Sequence, residues 1–70
     1  MKASTIESVN KILNADHNIA AVITDAMSEE KHVLNKGFNY DGMYIKYTDL
    51  NGDNILIETW CVTSIELIAI

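Results

Sequence analysis

Leu50, Asn51 and Gly52 separate two runs rich in β-branched and aromatic residues, 43–48 and 54–62. Asparagine beside glycine between such runs marks a hairpin, because both tolerate the left-handed backbone that tight turns need. The loop length then decides which residues share a face. A two-residue Asn51-Gly52 turn would set Ile45 opposite Glu58 and Tyr47 opposite Leu56, mixing polar and apolar side chains on both faces. A three-residue loop with Gly52 left-handed instead pairs Ile45 with Ile57 and Tyr47 with Ile55. One face then carries Met43, Ile45, Tyr47, Ile55, Ile57 and Cys61; the other carries Tyr44, Lys46, Thr48, Asn54, Leu56, Glu58 and Trp60. The second register segregates polarity and is the expected one.

What precedes the hairpin reads as helical. Ser4-Thr5-Ile6-Glu7 fits a capping box, in which the serine hydroxyl accepts from the Glu7 amide while the glutamate reaches back. Ile6, Val9, Ile12 and Leu13 recur at helical spacing, which predicts an amphipathic helix over 5–14. Residues 14–18 form a polar break, with Asp16 or Asn18 able to cap the next element. Between 19 and 35, Ile19, Val22, Ile23, Ala26, Met27, Val33 and Leu34 fit one helical face, with Gly37 as its C-cap and His32 near its C-terminal end. The alternative is a buried strand over 20–24, followed by a helix capped at Ser28. One long helix is favoured because the apolar stripe persists across Asp25. Phe38 and Tyr40, in a loop flanked by Gly37 and Gly42, are lids on the core or exposed contacts. In the tail, Thr63 and Glu66 could cap a short helix, but the β-branched content argues more for a third strand. The expected fold is α+β: two antiparallel helices packed on a small antiparallel sheet of two or three strands.

Seventy residues are expected to make one domain, 1–70. A chain of this size buries only about 60% of the surface it exposes when unfolded, so its stability is marginal unless something else supports it. The lone cysteine, Cys61, cannot close an internal disulfide and fits a reducing compartment, buried as a small hydrophobe. No apolar run approaches the ~20 residues of a membrane span. Polar residues and Glu7 follow Met1-Lys2, which leaves no secretory h-region, so the cytoplasm is the default location.

Ten acidic residues face five lysines, arginine is absent, and the formal net charge is −5. Nucleic-acid phosphates call for a basic stripe, and in the sequence Lys2, Lys11, Lys31, Lys36 and Lys46 are dispersed. Direct nucleic-acid binding and adhesion to an anionic membrane are therefore not expected. A basic protein surface is the natural partner of such a charge, although plain solubility is the favoured explanation of it.

No motif commits the chain to catalysis. Residues 47–58 superficially match a calcium-binding EF-hand loop, with Asp49, Asn51, Gly52 and Glu58 at positions 3, 5, 6 and 12. Position 1 should be an aspartate and is Tyr47, and the flanks read as strands. His17, His32 and Cys61, with Asp16 and Asp25, lack the paired spacing of a zinc site. Cys61 falls on the buried face, where a reactive thiolate is not expected. Ser4, Ser8, Ser28 and Ser64 have no nucleophile-elbow context. Glu29 and Glu30 are adjacent and would point about 100° apart on a helix. Neither an enzyme, a cofactor nor a metal site is expected.

The remaining feature is the outer face of the hairpin. Tyr44, Leu56 and Trp60 are large and would lie away from the helices if the other face is core; if the helices cover this face, the opposite one is exposed. Aromatic side chains anchor interfaces because they bury much area at little rotamer cost. Asp41, Asp49, Asp53, Glu58 and Glu66 would rim the patch, and Tyr44, Trp60, Leu56, Glu58, Asp41, Asp49 and Asp53 are the candidate partner-binding residues. The expected function is non-enzymatic protein binding, with a sharper form as an inhibitor docking on a basic surface of a nucleic-acid-handling protein. In general character, though by no motif, such a chain resembles the small acidic inhibitors that phages and mobile elements encode. The alternative is a homodimer or assembly adaptor that uses the apolar C-terminal tail and an exposed strand edge.

Overall fold

A computed structural model describes residues 1–70. It contains one α-helix, α1 (Ala3–Ala15), and six strands: β1 (Ile19–Asp25), β2 (Lys31–Leu34), β3 (Asn39–Tyr40), β4 (Tyr44–Thr48), β5 (Asn54–Glu58) and β6 (Val62–Ala69). A 3-10 turn, Thr59–Cys61, joins β5 to β6. The strands form two antiparallel three-stranded sheets, ordered β2-β1-β6 and β3-β4-β5. The expected pair of helices on one small sheet is therefore wrong: the second helix does not exist, and there are two sheets.

The misreading lies in 19–35. Its apolar residues fit a helical stripe, but Met27 and Val33, both assigned to the buried side of that helix, are 80% and 60% exposed. As a strand, β1 occupies the centre of its sheet, flanked by β2 and β6, and buries Ala20, Ala21 and Ile23 completely. Strands buried on both faces read as continuous apolar runs, so periodicity alone could not separate the two forms. The strand ends where the Asp25 carboxylate accepts the amide of Met27 (2.9 Å), and Glu29 turns the chain with φ of 57°. Ser28 caps no helix. Gly37 is not a C-cap either, but sits in the bend between β2 and β3, where a Cβ would collide with the Asn14 side chain.

The first helix is where the pattern put it, but it begins earlier. Lys2 is the N-cap and makes no side-chain cap; its carbonyl accepts the amides of Thr5 (3.1 Å) and Ile6 (3.2 Å). Ser4 lies inside the first turn, its carbonyl accepting the Ser8 hydroxyl at 2.8 Å, so the capping box does not form. Asp16 caps no second helix; it accepts the Asn18 amide (2.9 Å) in the turn into β1.

The hairpin follows the predicted register. Ile45 faces Ile57 and Tyr47 faces Ile55, while Gly52 adopts a φ of 83° in the loop. Ile45 and Ile57 are fully buried, and Cys61 is buried as expected. Met43 departs from this face: it sits in the turn before β4 and is 55% exposed. The tail is a strand, but it joins β1 in the other sheet instead of extending the hairpin.

One core serves both sheets. Ile6, Val9 and Leu13 of α1 pack with Ala21, Ile23, Leu34 and Val62 from the first sheet and Ile45 and Ile57 from the second. Phe38, in the bend, closes the same cluster. The Asn10 side chain clips the helix to that bend, donating to the Phe38 carbonyl and accepting its amide, both at 2.8 Å. The chain thus passes between the sheets at two corners, residues 35–38 and the Thr59–Cys61 turn.

Candidate functional site

The second corner positions the most prominent exposed aromatic residue. Thr59 and Cys61 are buried, and the 3-10 turn between β5 and β6 leaves Trp60 pointing outward, 57% exposed. The corner is anchored to the start of β4, because the Thr59 amide (3.0 Å) and hydroxyl (2.8 Å) both donate to the Met43 carbonyl. That anchoring brings Trp60 edge-on to Tyr44, with ring centroids 5.5 Å apart and planes at 65°. Such a pair contributes about 0.5–1.5 kcal/mol beyond area burial and limits the motion of the exposed ring. Leu56, further along the same outer face, is also largely exposed.

The acidic residues divide into two groups. Glu58 is the direct cross-strand partner of Tyr44 and lies within this face. Asp41 sits just before it, in the β3–β4 turn, accepting the amides of Tyr44 (2.8 Å) and Met43 (2.9 Å). Those two amides, assisted by Lys46 at 3.5 Å, hold its carboxyl below the usual carboxylate range. Asp49 and Asp53 are at the hairpin tip, five residues or ~17 Å along the strand from Tyr44. Asp49 is occupied in closing the loop, accepting the amides of Asn51 and Asp53 at 2.9 Å each. The expected continuous acidic rim is therefore confined to Asp41 and Glu58, and Glu66 belongs to the other sheet. The would-be calcium loop is this hairpin tip, flanked by strands.

Cys61 donates weakly to Glu58 at 3.7 Å, and burial first, then the Glu58 and Asp25 charges, push its thiol pKa up. A thiol in that setting is a poor nucleophile.

A second concave feature had no signal in the sequence. A groove of about 850 Å³ runs between β2 with the following bend and the end of β4 with the hairpin loop. Lys31, Lys36 and Lys46, dispersed in the sequence, all line it, and Asp49 is its one carboxylate. At its floor His32 hydrogen-bonds Tyr47 (Nδ1 to Oη, 3.2 Å) with the rings edge-on. Partial burial, then the Asp49 and Glu30 charges, raise the Tyr47 pKa, which keeps the phenol neutral. His32 was expected at a helix end; folding puts it on β2.

Comparison with family models, curated proteins and solved structures finds no match for this chain. No helix is long and apolar enough to cross a membrane.

Proposed function

We propose that this chain is a non-enzymatic protein-binding module that presents Trp60, Tyr44 and Leu56 to a basic surface of a partner protein in the cytoplasm. The observation that carries the reading is Trp60, mostly exposed yet held against Tyr44 by a corner anchored at Met43. A preorganised aromatic ring with adjacent carboxylates is suited to act as an interface anchor, since little side-chain entropy remains to be lost on binding. Glu58 supplies the unpaired charge that would steer a basic partner, Asp41 being already met by Lys46, and the net charge of −5 adds long-range attraction. An inhibitor of a nucleic-acid-handling protein, of the kind phages and mobile elements encode, is the sharper form of this proposal.

The test is affinity capture with the wild-type chain against Trp60→Ala and Glu58→Lys variants, with the captured protein identified. A basic partner lost with both variants, while circular dichroism shows the fold retained, supports the reading. Unfolding of Trp60→Ala, or capture indifferent to both changes, refutes it.

A second reading has its own observation. β6 is an edge strand, and Leu67, Ile68 and Ile70 at its end are 41%, 36% and 60% exposed. An apolar, unpaired edge favours self-association by strand pairing. Analytical ultracentrifugation of the wild type and Ile68→Glu decides it: a dimer converted to monomer supports this reading, and a wild-type monomer at high micromolar concentration removes it.

A further inference from the structure

We propose that the groove between β2 and the end of β4 binds an extended acidic peptide segment by strand addition to the free edge of β2. The proposal is independent of the Trp60 face and concerns a partner of opposite charge.

Two features of the groove support it. The first is unpaired backbone. Asp25 donates to the Glu30 carbonyl at 2.9 Å, and hydrogen-bonded pairs alternate along an antiparallel ladder. With Ile23 opposite His32 and Ala21 opposite Leu34, the backbone groups of His32 and Leu34 face β1. Those of Lys31 and Val33 therefore point away from β1 along the outer edge of the sheet, where β2 has no second neighbour. Across the groove, Asp49 donates to the Asp53 carbonyl, so the same alternation turns the backbone of Thr48 away from β5. β3 is only two residues long and pairs with Ile45 and Lys46, leaving Thr48 without a strand partner on that side. An extended segment is the ligand whose own amides and carbonyls answer such an edge.

The second feature is charge. Three of the chain's five lysines line the groove against the single carboxylate of Asp49. Lys46 already meets Asp41 at 3.5 Å, which leaves Lys31 and Lys36 as the cations without an ion-pair partner. A cationic groove in a chain of net charge −5 is local, so it favours a short acidic segment over a long polyanion, which the rest of the surface repels. Nucleic acid would in addition leave the β2 edge unanswered. Lysines on an edge strand also guard against indiscriminate pairing; here the same charges would select an acidic strand over others.

The probe is a fluorescein-labelled heptapeptide alternating valine and glutamate, titrated with the full chain and followed by anisotropy. Parallel arms use a valine/lysine heptapeptide, the valine/glutamate peptide N-methylated on alternate amides, and a ten-residue oligothymidylate. The valine/glutamate peptide is expected to bind, weakening as salt rises. The Lys31→Glu/Lys36→Glu variant is expected to lose about tenfold in affinity, equivalent to ~1.4 kcal/mol. N-methylation is expected to abolish binding in one of the two alternate patterns. Lys31→Gln/Lys36→Gln provides the milder charge removal if reversal disturbs folding. The proposal fails if the acidic peptide binds no better than the basic one, as expected if the lysines only guard the edge. It fails equally if neither double variant of Lys31 and Lys36 weakens binding, if neither N-methylated form is impaired, or if oligothymidylate binds more tightly than the peptide.

Discussion

Replacing Asn10 with alanine tests whether one side chain holds the helix to the corner between the two sheets. Its amide makes two hydrogen bonds of 2.8 Å to the backbone of Phe38, a residue only 7% exposed. Each bond contributes about 1 kcal/mol net, and a buried group left unpaired costs about 1–3 kcal/mol. Asn10 is itself half-buried, so water can reach part of the vacated site, and the lower part of that range applies. A loss of about 2–3 kcal/mol is expected. Against a total of roughly 3.5–10 kcal/mol for a domain of this length, that is a large fraction. At about 4–8 °C per kcal/mol for a small domain, the melting temperature should fall by roughly 10–20 °C. Urea denaturation and thermal melts followed by far-ultraviolet circular dichroism measure both. Asn10→Asp refines the test: it keeps an acceptor for the Phe38 amide but sets a carboxylate against the Phe38 carbonyl. It should be destabilised at neutral pH and recover partly in acid, where the protonated carboxyl can donate. A loss below about 0.5 kcal/mol for the alanine variant would refute the clip, because water would then substitute for the amide at almost no cost.

Gly37→Ala should cost no more than about 1 kcal/mol, since the atoms a Cβ would strike belong to the exposed and movable Asn14 side chain. Adding Asn14→Ala should restore most of the loss in a double-mutant cycle, whereas additive effects would place the strain in the backbone. Cys61 should react with iodoacetamide more slowly in the folded chain than in urea, and Glu58→Gln should narrow the gap by removing one cause of its raised pKa. Because that pKa lies above the unfolded value, the associated stability is complete below the ordinary thiol pKa and is lost as pH rises through the higher one. Equal alkylation rates in the two states would contradict the burial of the thiol.

The parts legible in the sequence were those in which local pattern and burial agreed. Ile6, Val9 and Leu13 mark one face of a helix whether or not a partner is known, and they are the buried residues of α1. The capping signal at Ser4 and Glu7 was outweighed by a start two residues earlier, where the Lys2 carbonyl already takes two amides. In the hairpin, slipping the register by one residue would have mixed polar and apolar side chains on both faces, so polarity alone chose the pairing of Ile45 with Ile57. The same argument placed Tyr44, Leu56 and Trp60 on the outer side, although it could not separate the acidic residues near Trp60 from those at the tip.

Tertiary structure alone decided the identity of 19–35 and the groove that depends on it. A short apolar run satisfies its backbone equally as a helix or as a strand with neighbours, and the neighbours of β1 are β2, a few residues on, and β6, some forty residues away. That long-range pairing turns a presumed second helix into a central strand and puts His32 beside Tyr47. It also gathers Lys31, Lys36 and Lys46 around one groove. No local window contains those three lysines in proximity, because their convergence follows from where the chain bends at 35–38 and from which strand edges are left without partners.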